Sequence, residues 1–280
     1  MTIKSFRPIT PSLRHTRLLD YSELSNVEPL KAKTKGKHST GGRNNRGRTT
    51  AHYRGGGHKR RYREVDFKRN KFDGVPATVK AIEYDPNRTS FVAQIWYANG
   101  HKDYILAPHG ISVGDTVMSG ETAEPRVGNS LPLHKIPQGL TIHCVELKPG
   151  RGGQLARGAG AQCTLSGRVD DTWMAVQMPS GEIRRLHKDC RATIGQVGNL
   201  DNMNIEYGKA GRMRWLGRRP KNRGTSKNPV DHPHGGGNDR GGGGRHPVDA
   251  WGHLSKGVRT RRPKNPTNNM VIRTRRGKSK

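Results

Sequence analysis

The sequence has few residues of the kinds that build a single large core. Hydrophobic residues make up 30% of the 280-residue chain and aromatic residues only 5%. That share is too small to fill one core of this length, so the whole chain is not expected to be globular. Acidic residues are also scarce: 22 Asp and Glu face 52 Lys and Arg, which leaves a formal net charge of +30. The composition therefore predicts smaller folded regions combined with polycationic segments.

Long apolar runs are missing as well. No stretch approaches the roughly 20 apolar residues of a membrane span, and residues 1–14 lack the apolar centre of a signal peptide. Acidic Asp20 and Glu23 follow too soon for an organelle transit peptide to be favoured. We therefore expect a cytoplasmic protein that has no membrane partner.

The excess of positive charge is concentrated in two segments. Residues 31–72 carry 15 basic and 2 acidic side chains, and residues 201–280 carry 20 and 5. Residues 73–200 are nearly neutral, with 13 and 12. A balanced segment can bury apolar surface normally, whereas the two basic segments would repel themselves without a counter-charge. They could be solvated surfaces or nuclear-import signals, but their length and their arginine and glycine content favour binding to a polyanion.

The first basic segment is typical of RNA-binding sequences. In residues 31–63, glycines that let backbone amides approach phosphates alternate with arginines, whose planar guanidinium groups bind phosphates or bases. Tyr53 and Tyr62 lie among these cations and can stack on unpaired bases. Irregular RNA suits this mixture better than the regular groove of B-form DNA.

The first half of the neutral region predicts a small β barrel. Short strand-like runs include Phe91–Tyr97 and Lys102–Leu106, which flank the hairpin dipeptide Asn99-Gly100. Together with three further runs, the last at Leu131–Ile136, they make five strands in about sixty residues. Five such strands with tight turns are typical of the oligonucleotide-binding (OB) barrel.

The second half of the neutral region predicts another barrel, of SH3-like size. Strand-like runs at 173–178 and 182–186 form a clear hairpin, and 191–197 provides a closing strand. A basic, glycine-rich loop at 148–160 interrupts the pattern and should direct its cations outward.

The remaining segments are predicted to have little regular structure. Residues 1–30 allow one short helix with Asp20 or Ser22 as its cap. Residues 199–217 should form a turn of helix that packs on the second barrel. From Pro220 onward no apolar run could face a core, so regular structure is expected to end there.

The glycine-rich part of the second basic segment allows two interpretations. It can be a flexible linker or a chain threaded through a narrow RNA passage, and its arginines favour the second. Residues 31–60 and 220–280 are accordingly expected to be mobile in the isolated protein and to become ordered on RNA.

The sequence lacks the residue spacings that are typical of metal-binding and nucleotide-binding sites. His232 and His234 lie beside Asp231, but no Cys-x2-Cys or His-x3-His pattern occurs. Neither of the nucleotide-binding patterns GxxxxGK[ST] and GxGxxG is present. The cysteines are odd in number and are expected to be reduced and mostly buried; they are Cys144, Cys163 and Cys190. We therefore expect no metal site and no cofactor belonging to the protein alone.

Several motifs resemble the universal L2 family of large-subunit ribosomal proteins, in its bacterial form. They are GGRNNRGR at 41–48, GGGHKRRYR at 55–63, the glycine-rich loop at 148–160, GRRPKNRG at 217–224, NPVDHPHGGG at 228–237 and the basic tail. Together these motifs span essentially the whole chain, and the motif at 228–237 is the most specific of them. Asn238-Asp239 is a small departure, because relatives often have Glu after the glycines.

The resemblance implies a mainly β fold with an OB-like barrel, then an SH3-like barrel, flanked by long irregular basic extensions. The corresponding domains are a lead-in and basic arm at 1–72, the barrels at 73–137 and 138–200, and a Gly/Pro-rich basic extension at 201–280. It also implies a primary rRNA-binding protein that stabilises rRNA near the peptidyl-transferase region. Such a protein supports subunit association, tRNA binding and peptide-bond formation.

The implied partners are large-subunit rRNA, small-subunit rRNA at the subunit interface, and, indirectly, other ribosomal proteins and tRNA. No homo-oligomer is expected, and the only cofactor that the resemblance allows is Mg²⁺ shared with rRNA. The predicted rRNA-binding residues are the cations and histidines of the basic segments: Arg43, Arg46, Arg48, Arg54, His58, Lys59, Arg60, Arg61, Arg63, Lys148, Arg151, Arg157, Arg212, Arg214, Arg218, Arg219, Lys221, Arg223, His232, His234, Arg240, Arg245, Arg259, Arg261, Arg262, Arg273, Arg275 and Arg276.

Two alternatives to a structural ribosomal protein stay open. A direct catalytic role has been suggested for the family's histidine in the DHPHGG motif, which falls on His232. We expect no enzyme, because the sequence predicts no protein-made cavity around this histidine. The second alternative is an OB-type RNA-binding protein or chaperone outside the ribosome.

Overall fold

The computed structural model describes residues 3–238 and 244–277. Contacts group the chain into two compact units. Unit 1 comprises Met1–His38, Lys59–Arg212 and Asn269–Lys280, and unit 2 comprises Ser39–His58 and Met213–Asn268. Both sequence regions expected to form barrels fall in unit 1, and the domain boundaries inferred from the sequence stay predictions.

The described residues form mainly β structure, as the sequence predicts. The strands are β1 (Ile3–Ser5), β2 (Thr16–Leu19), β3 (Thr34–Lys37), β4 (Arg60–Arg63), β5 (Ala77–Glu83), β6 (Val92–Tyr97), β7 (Lys102–Leu106), β8 (Thr116–Val117), β9 (Ser130–Pro132), β10 (Thr141–His143), β11 (Val145–Glu146), β12 (Gly153–Leu155), β13 (Cys163–Arg168), β14 (Trp173–Gln177), β15 (Ile183–His187), β16 (Arg191–Ile194), β17 (Glu206–Tyr207) and β18 (Val271–Arg273). The α-helices are α1 (Pro11–Arg14) and α2 (Ala210–Trp215), and short 3₁₀ turns lie at Lys31–Lys33, Leu133–Lys135, Leu200–Asn204, Gly224–Ser226 and Pro266–Met270.

A four-stranded antiparallel sheet forms the first half of the neutral region, in the order β7-β6-β5-β8. Along β5 the buried positions alternate, because one face covers a core and the other does not. Val79 and Ile95 are fully buried in that core, together with Ile105. The hairpin around Asn99-Gly100 forms as predicted, with Gly100 at a φ of +82° that favours glycine.

The strand predicted at Leu131–Ile136 does not join this sheet. The observed strand β9 pairs instead with β16, where Leu131 lies opposite Ala192. Leu131 and Leu133 are buried in a second apolar cluster with Ile142. The prediction was wrong because the apolar side chains of this segment fill the second core, which a strand pattern alone cannot reveal.

The second half of the neutral region forms a seven-stranded antiparallel sheet, in the order β18-β15-β14-β13-β10-β16-β9. The predicted hairpin is present as β14 and β15, with register pairs from Trp173 and His187 to Gln177 and Ile183. Cys163 and Cys190 are buried and Cys144 is half-buried, and all three are free. Burial raises the pKa of each thiol to about 12.

Regular structure continues beyond Pro220, contrary to the prediction. Near the chain end, β18 adds to the edge of the seven-stranded sheet by pairing with β15. Val271 and Ile272 are half-buried there. Two β-branched residues next to each other are enough for a short edge strand, although the surrounding sequence is basic and polar.

Two other local predictions need correction. The N-terminal helix α1 lies earlier than expected, with Thr10 as its cap and Pro11 at its start. Asp20 instead accepts a hydrogen bond from the Ser22 amide (3.1 Å) in a turn. Residues 199–217 contain the predicted helical turn, but Ile205 packs against the first apolar cluster and not the second.

Candidate nucleic-acid interface

Unit 2 forms where two parts of the basic segments, distant in sequence, pair with each other. The Gly55 amide donates a hydrogen bond to the Gly217 carbonyl (2.9 Å), and the Arg219 amide donates to the Tyr53 carbonyl (3.0 Å). An antiparallel bridge joins Arg54 to Arg218 between these bonds. Two parts of the basic segments, Ser39–His58 and Met213–Asn268, therefore form one compact unit that backbone hydrogen bonds hold together.

Glycines allow the backbones of these segments to come close enough for hydrogen bonds. A Cβ added at Gly57 would lie 2.7 Å from the Gly217 nitrogen, and one at Gly42 would lie 2.0 Å from the Ala51 carbonyl oxygen. Neither position could accommodate a side chain without moving the backbone. Such glycines are predicted from the sequence to let backbone amides approach phosphates, but at these two positions the close neighbour is the protein's own main chain.

The charge of unit 2 is strongly one-sided. Its sequence contains 17 Lys and Arg but only 3 Asp and Glu, a net charge of +14. Among its described residues the arginines are mostly exposed. Such a density of like charge is stabilised by a polyanion and raises the local concentration of anionic ligands.

Most of the predicted RNA-binding side chains are exposed. Arg60, Arg212, His232 and His234 are half-buried, and Arg240 lies outside the described residues. In unit 2, exposed members are Arg43, Arg46, Arg48, Arg54, His58, Arg214, Arg218, Arg219, Lys221, Arg223, Arg245, Arg259, Arg261 and Arg262; in unit 1 they are Lys59, Arg61, Lys148, Arg151, Arg157, Arg273, Arg275 and Arg276. Exposure makes them accessible to RNA, and their binding role stays a prediction.

Arg63 is the exception among the predicted residues, because it is buried. Only 8% of its surface is exposed, and its Nε donates to the Glu83 carboxylate at 3.1 Å. The Tyr104 hydroxyl also donates to Glu83 (3.0 Å) and accepts a hydrogen bond from the Leu30 amide (2.8 Å). Arg63 is therefore an anchor inside unit 1, and its predicted contact with RNA stays a prediction that its burial does not favour.

This buried network holds both ends of the first basic segment. Leu30 precedes the segment and Arg63 ends β4 within it, and β3 pairs with β4 over four residues on each strand. The exposed cations of this ladder include Lys35, Lys37 and Arg61. Residues 38–59, which connect the two strands, therefore begin and end on one fixed ladder, a pairing that the sequence pattern does not predict.

The basic loop at 148–160 is organised by one buried carboxylate. Glu146 is 1% exposed and accepts hydrogen bonds from the amides of Gly150 (3.1 Å), Gly152 (2.7 Å) and Arg191 (3.0 Å). Three backbone donors satisfy the buried charge and fix the loop. The guanidinium of Arg157 lies 4.7 Å from the centre of the Phe67 ring.

The two histidines of the DHPHGG motif are held by local hydrogen bonds. Nδ1 of His232 accepts from the His234 amide (3.0 Å), and Nε2 of His234 accepts from the Val248 amide (2.9 Å). A Cβ at Gly224 would lie 2.4 Å from the His232 ring, so this glycine packs directly against the imidazole. The sequence predicts no protein-made cavity around His232, and the structure adds a backbone partner within unit 2 for each of the two rings.

These bonds restrict the chemistry of the two rings. A nitrogen that accepts a backbone hydrogen bond carries no proton, so the second nitrogen of each neutral ring is the protonated one. His232 is therefore positioned by its Nδ1, and only Nε2 is left for another partner.

Among the described residues, no group of three or more His, Cys, Asp or Glu side chains could hold a metal ion. None of the helices in the described ranges is long and apolar enough to cross a membrane.

Comparison with known proteins identifies the family. Residues 30–119 match the model for Ribosomal Proteins L2, RNA binding N-terminal domain. Residues 126–252 match the model for Ribosomal Proteins L2, C-terminal domain. The chain belongs to the ribosomal protein L2 family. This confirms the resemblance and the description as an RNA-binding protein of the large ribosomal subunit.

Similar relatives carry the name large ribosomal subunit protein uL2. The protein from Granulibacter bethesdensis is 55% identical over 275 residues, which cover 98% of this chain and 99% of the relative. The protein from Rhodospirillum centenum is 56% identical over the same length and coverage. The protein from a Methylobacterium species is 52% identical over 280 residues, the full length of both chains. The L2 match therefore extends over the strands of the nearly neutral region 73–200, here called the β body, and over both basic segments.

Proposed function

We propose that this protein is a structural constituent of the large ribosomal subunit that binds rRNA directly. The observation that carries the proposal is the charge of unit 2, where 17 basic residues face 3 acidic ones in an L2-family chain. Folded rRNA supplies phosphates at the density that such a surface requires. The protein's place of action would then be the ribosome in the cytoplasm.

The mechanism follows from where the cations are attached. Exposed arginines and lysines neutralise neighbouring phosphates and let RNA helices approach one another, while the β body determines where each basic segment begins. The Arg63–Glu83–Tyr104 network performs this second task for the first segment. Contacts of this kind would stabilise rRNA near the peptidyl-transferase region and support subunit association, tRNA binding and peptide-bond formation.

We also propose that unit 1 contains the OB-like and SH3-like barrels. The four-stranded sheet has the β6–β7 hairpin and, along β5, the alternating burial expected of an OB-type barrel, and the seven-stranded sheet contains the meander β13-β14-β15 expected of the second. Each has its own apolar cluster. The segment at Leu131–Ile136 belongs with the second sheet in this arrangement.

We propose no catalytic role for His232 and no cofactor of the protein's own. The His232 ring is engaged by the His234 amide, which favours a structural role for the motif. Any Mg²⁺ at this surface would be shared with RNA phosphates, since the described residues contain no carboxylate cluster that could hold it. Small-subunit rRNA would be a contact at the subunit interface, with other ribosomal proteins and tRNA as indirect partners.

Salt dependence tests this function with a matched pair of charge variants. The double variant Arg218→Gln/Arg219→Gln removes two exposed cations of unit 2. The control, Arg126→Gln/Lys135→Gln, removes two exposed cations of unit 1 that lie outside the predicted surface. Binding to purified large-subunit rRNA is measured across salt concentrations. The first variant should lower the slope of log affinity against log salt by about 0.7–0.9 for each lost contact, and the control should not.

Sedimentation separates the ribosomal function from the extra-ribosomal alternative. The tagged wild-type protein should migrate with large subunits in a sucrose gradient of a cell extract. Migration at the top of the gradient, with rRNA affinity equal for both charge variants, would refute the proposal. Slow migration combined with tight binding to single strands would favour the RNA chaperone instead.

A further inference from the structure

Trp251 lies at the tip of a tightly closed turn in unit 2. The Asp249 amide donates to the His253 carbonyl (2.9 Å), and Val248 and Leu254 form a bridge across the base of the turn. The Asp249 carboxylate accepts hydrogen bonds from the amides of Trp251 and His253, each at 2.9 Å. The turn is therefore held by its own backbone, and the indole is presented from a fixed support.

The indole ring is largely in solvent. The residue Trp251 is 71% exposed, compared with 59% for Trp215 and 38% for Trp96. The His52 ring lies 6.2 Å from it, centre to centre, with an angle of 36° between the planes, and the Tyr53 ring follows 6.0 Å from that of His52. The exposed ring thus has aromatic support from the first basic segment, and both segments contribute to one aromatic cluster.

The surroundings of this cluster favour a nucleic acid. Unit 2 carries a net charge of +14, and Asp249 is one of only three acidic residues in it. Desolvation raises the pKa of Asp249, but the hydrogen bonds from His253 and from the Trp251 amide outweigh it and lower the pKa. The Asp249 carboxylate is engaged by the amide donors of the turn and fixes the loop that carries Trp251.

We propose that Trp251, supported by His52, is a stacking platform for an unpaired RNA base. This inference rests on the proposed rRNA-binding function and adds the class of nucleotide that this part of unit 2 recognises. Stacking of a base on an aromatic ring tolerates any sequence, because every base has a π face, and cations nearby hold the adjoining phosphates. Bases inside a paired helix could not use this ring, since both of their faces are already stacked.

The test compares two RNA probes with the same number of phosphates. One probe is a 12-nucleotide oligoadenylate and the other is an abasic 12-mer. The full-length wild-type protein should bind the oligoadenylate more tightly than the abasic probe. The variant Trp251→Leu should bind the oligoadenylate about tenfold more weakly and the abasic probe equally well. Trp251→Phe, which keeps a ring, should retain most of the preference.

The control variant is Val230→Ala, which removes an apolar side chain of unit 2 that is 90% exposed and has no ring. It should bind both probes like the wild type. Circular dichroism checks that all variants fold. Irradiation of intact large subunits provides a second measurement that needs no variant, and it should yield a nucleotide adduct on the peptide that contains Trp251.

The results that overturn the inference differ from those that overturn the function. Equal oligoadenylate affinity for Trp251→Leu and wild type, or equal losses on both probes, would show that the ring does not stack on a base. A Trp251→Leu protein that binds oligoadenylate normally but enters large subunits poorly would assign the ring to a protein contact instead. If the wild type bound neither these probes nor rRNA, the proposed function itself would fail.

Discussion

Neutralising Glu83 should loosen the attachment of the first basic segment to unit 1. The variant Glu83→Gln keeps the shape of the side chain and an oxygen that can accept from Tyr104. It removes the only carboxylate that the described contacts give to the Arg63 side chain, which is 8% exposed. The result is a buried guanidinium without a counter-charge.

The expected cost can be worked out from this geometry. Breaking a buried ion pair by removing one partner typically costs about 3–5 kcal/mol, because the second charge stays buried. The backbone of Arg63 is fixed opposite Thr34 in the β3–β4 ladder, so its buried guanidinium starts from a fixed position in unit 1. We therefore expect the free energy of unfolding of unit 1 to fall by about 3 kcal/mol. Desolvation raises the pKa of Glu83, which shows that burial of its charge is costly in itself. The intact ion pair can therefore contribute little net stability, while removal of one partner still leaves the other charge buried and unpaired.

Urea denaturation followed by circular dichroism measures the change, with two comparisons. Glu64→Gln removes an exposed carboxylate that pairs with Lys35 on the same ladder, and it should leave the unfolding midpoint unchanged. The double variant Arg63→Leu/Glu83→Gln removes the buried cation as well and should be more stable than Glu83→Gln alone. A Glu83→Gln protein as stable as Glu64→Gln would refute the anchoring role.

Two further predictions concern histidines. Burial lowers the pKa of His143 to about 4, while its Nδ1 donates to the Gly195 carbonyl at 2.9 Å. The folded pKa of His143 lies below the unfolded value of about 6.5, so its contribution to the free energy of unfolding is complete above pH 6.5. That contribution should be lost as the pH falls from about 6.5 through 4, by about 3 kcal/mol in total. His143→Asn keeps a donor without titrating, and urea unfolding at pH 7 and pH 4.5 should show a weaker pH dependence; an equal dependence would contradict this assignment. For the DHPHGG motif, Asn places an acceptor near Nδ1 and Gln places one near Nε2. His232→Asn and His234→Gln should therefore assemble into large subunits normally, and His232→Gln and His234→Asn should assemble poorly on sucrose gradients. Assembled His232→Asn subunits that fail to form peptide bonds would instead support catalysis through Nε2.

The local predictions that succeeded rest on short-range patterns. The hairpins at Asn99-Gly100 and at Trp173–His187 were predictable because turn residues and alternating apolar side chains lie next to each other in the chain. The exposure of most predicted cations was likewise foreseeable, since such dense positive charge cannot be buried without partners. Arg63 was the exception, and only the position of Glu83 twenty residues later in the chain explains its burial.

The sequence by itself determined the division of charge, the mainly β character and the membership of an RNA-binding ribosomal family. Each of these depends on composition or on motifs that can be read along the chain. Only the tertiary structure decided that Leu131 belongs to the second core, that Gly57 meets Gly217, and that Trp251 lies beside His52. Contacts between segments so distant in the chain depend on which surfaces fit together in space. A pattern of neighbouring residues does not encode that fit.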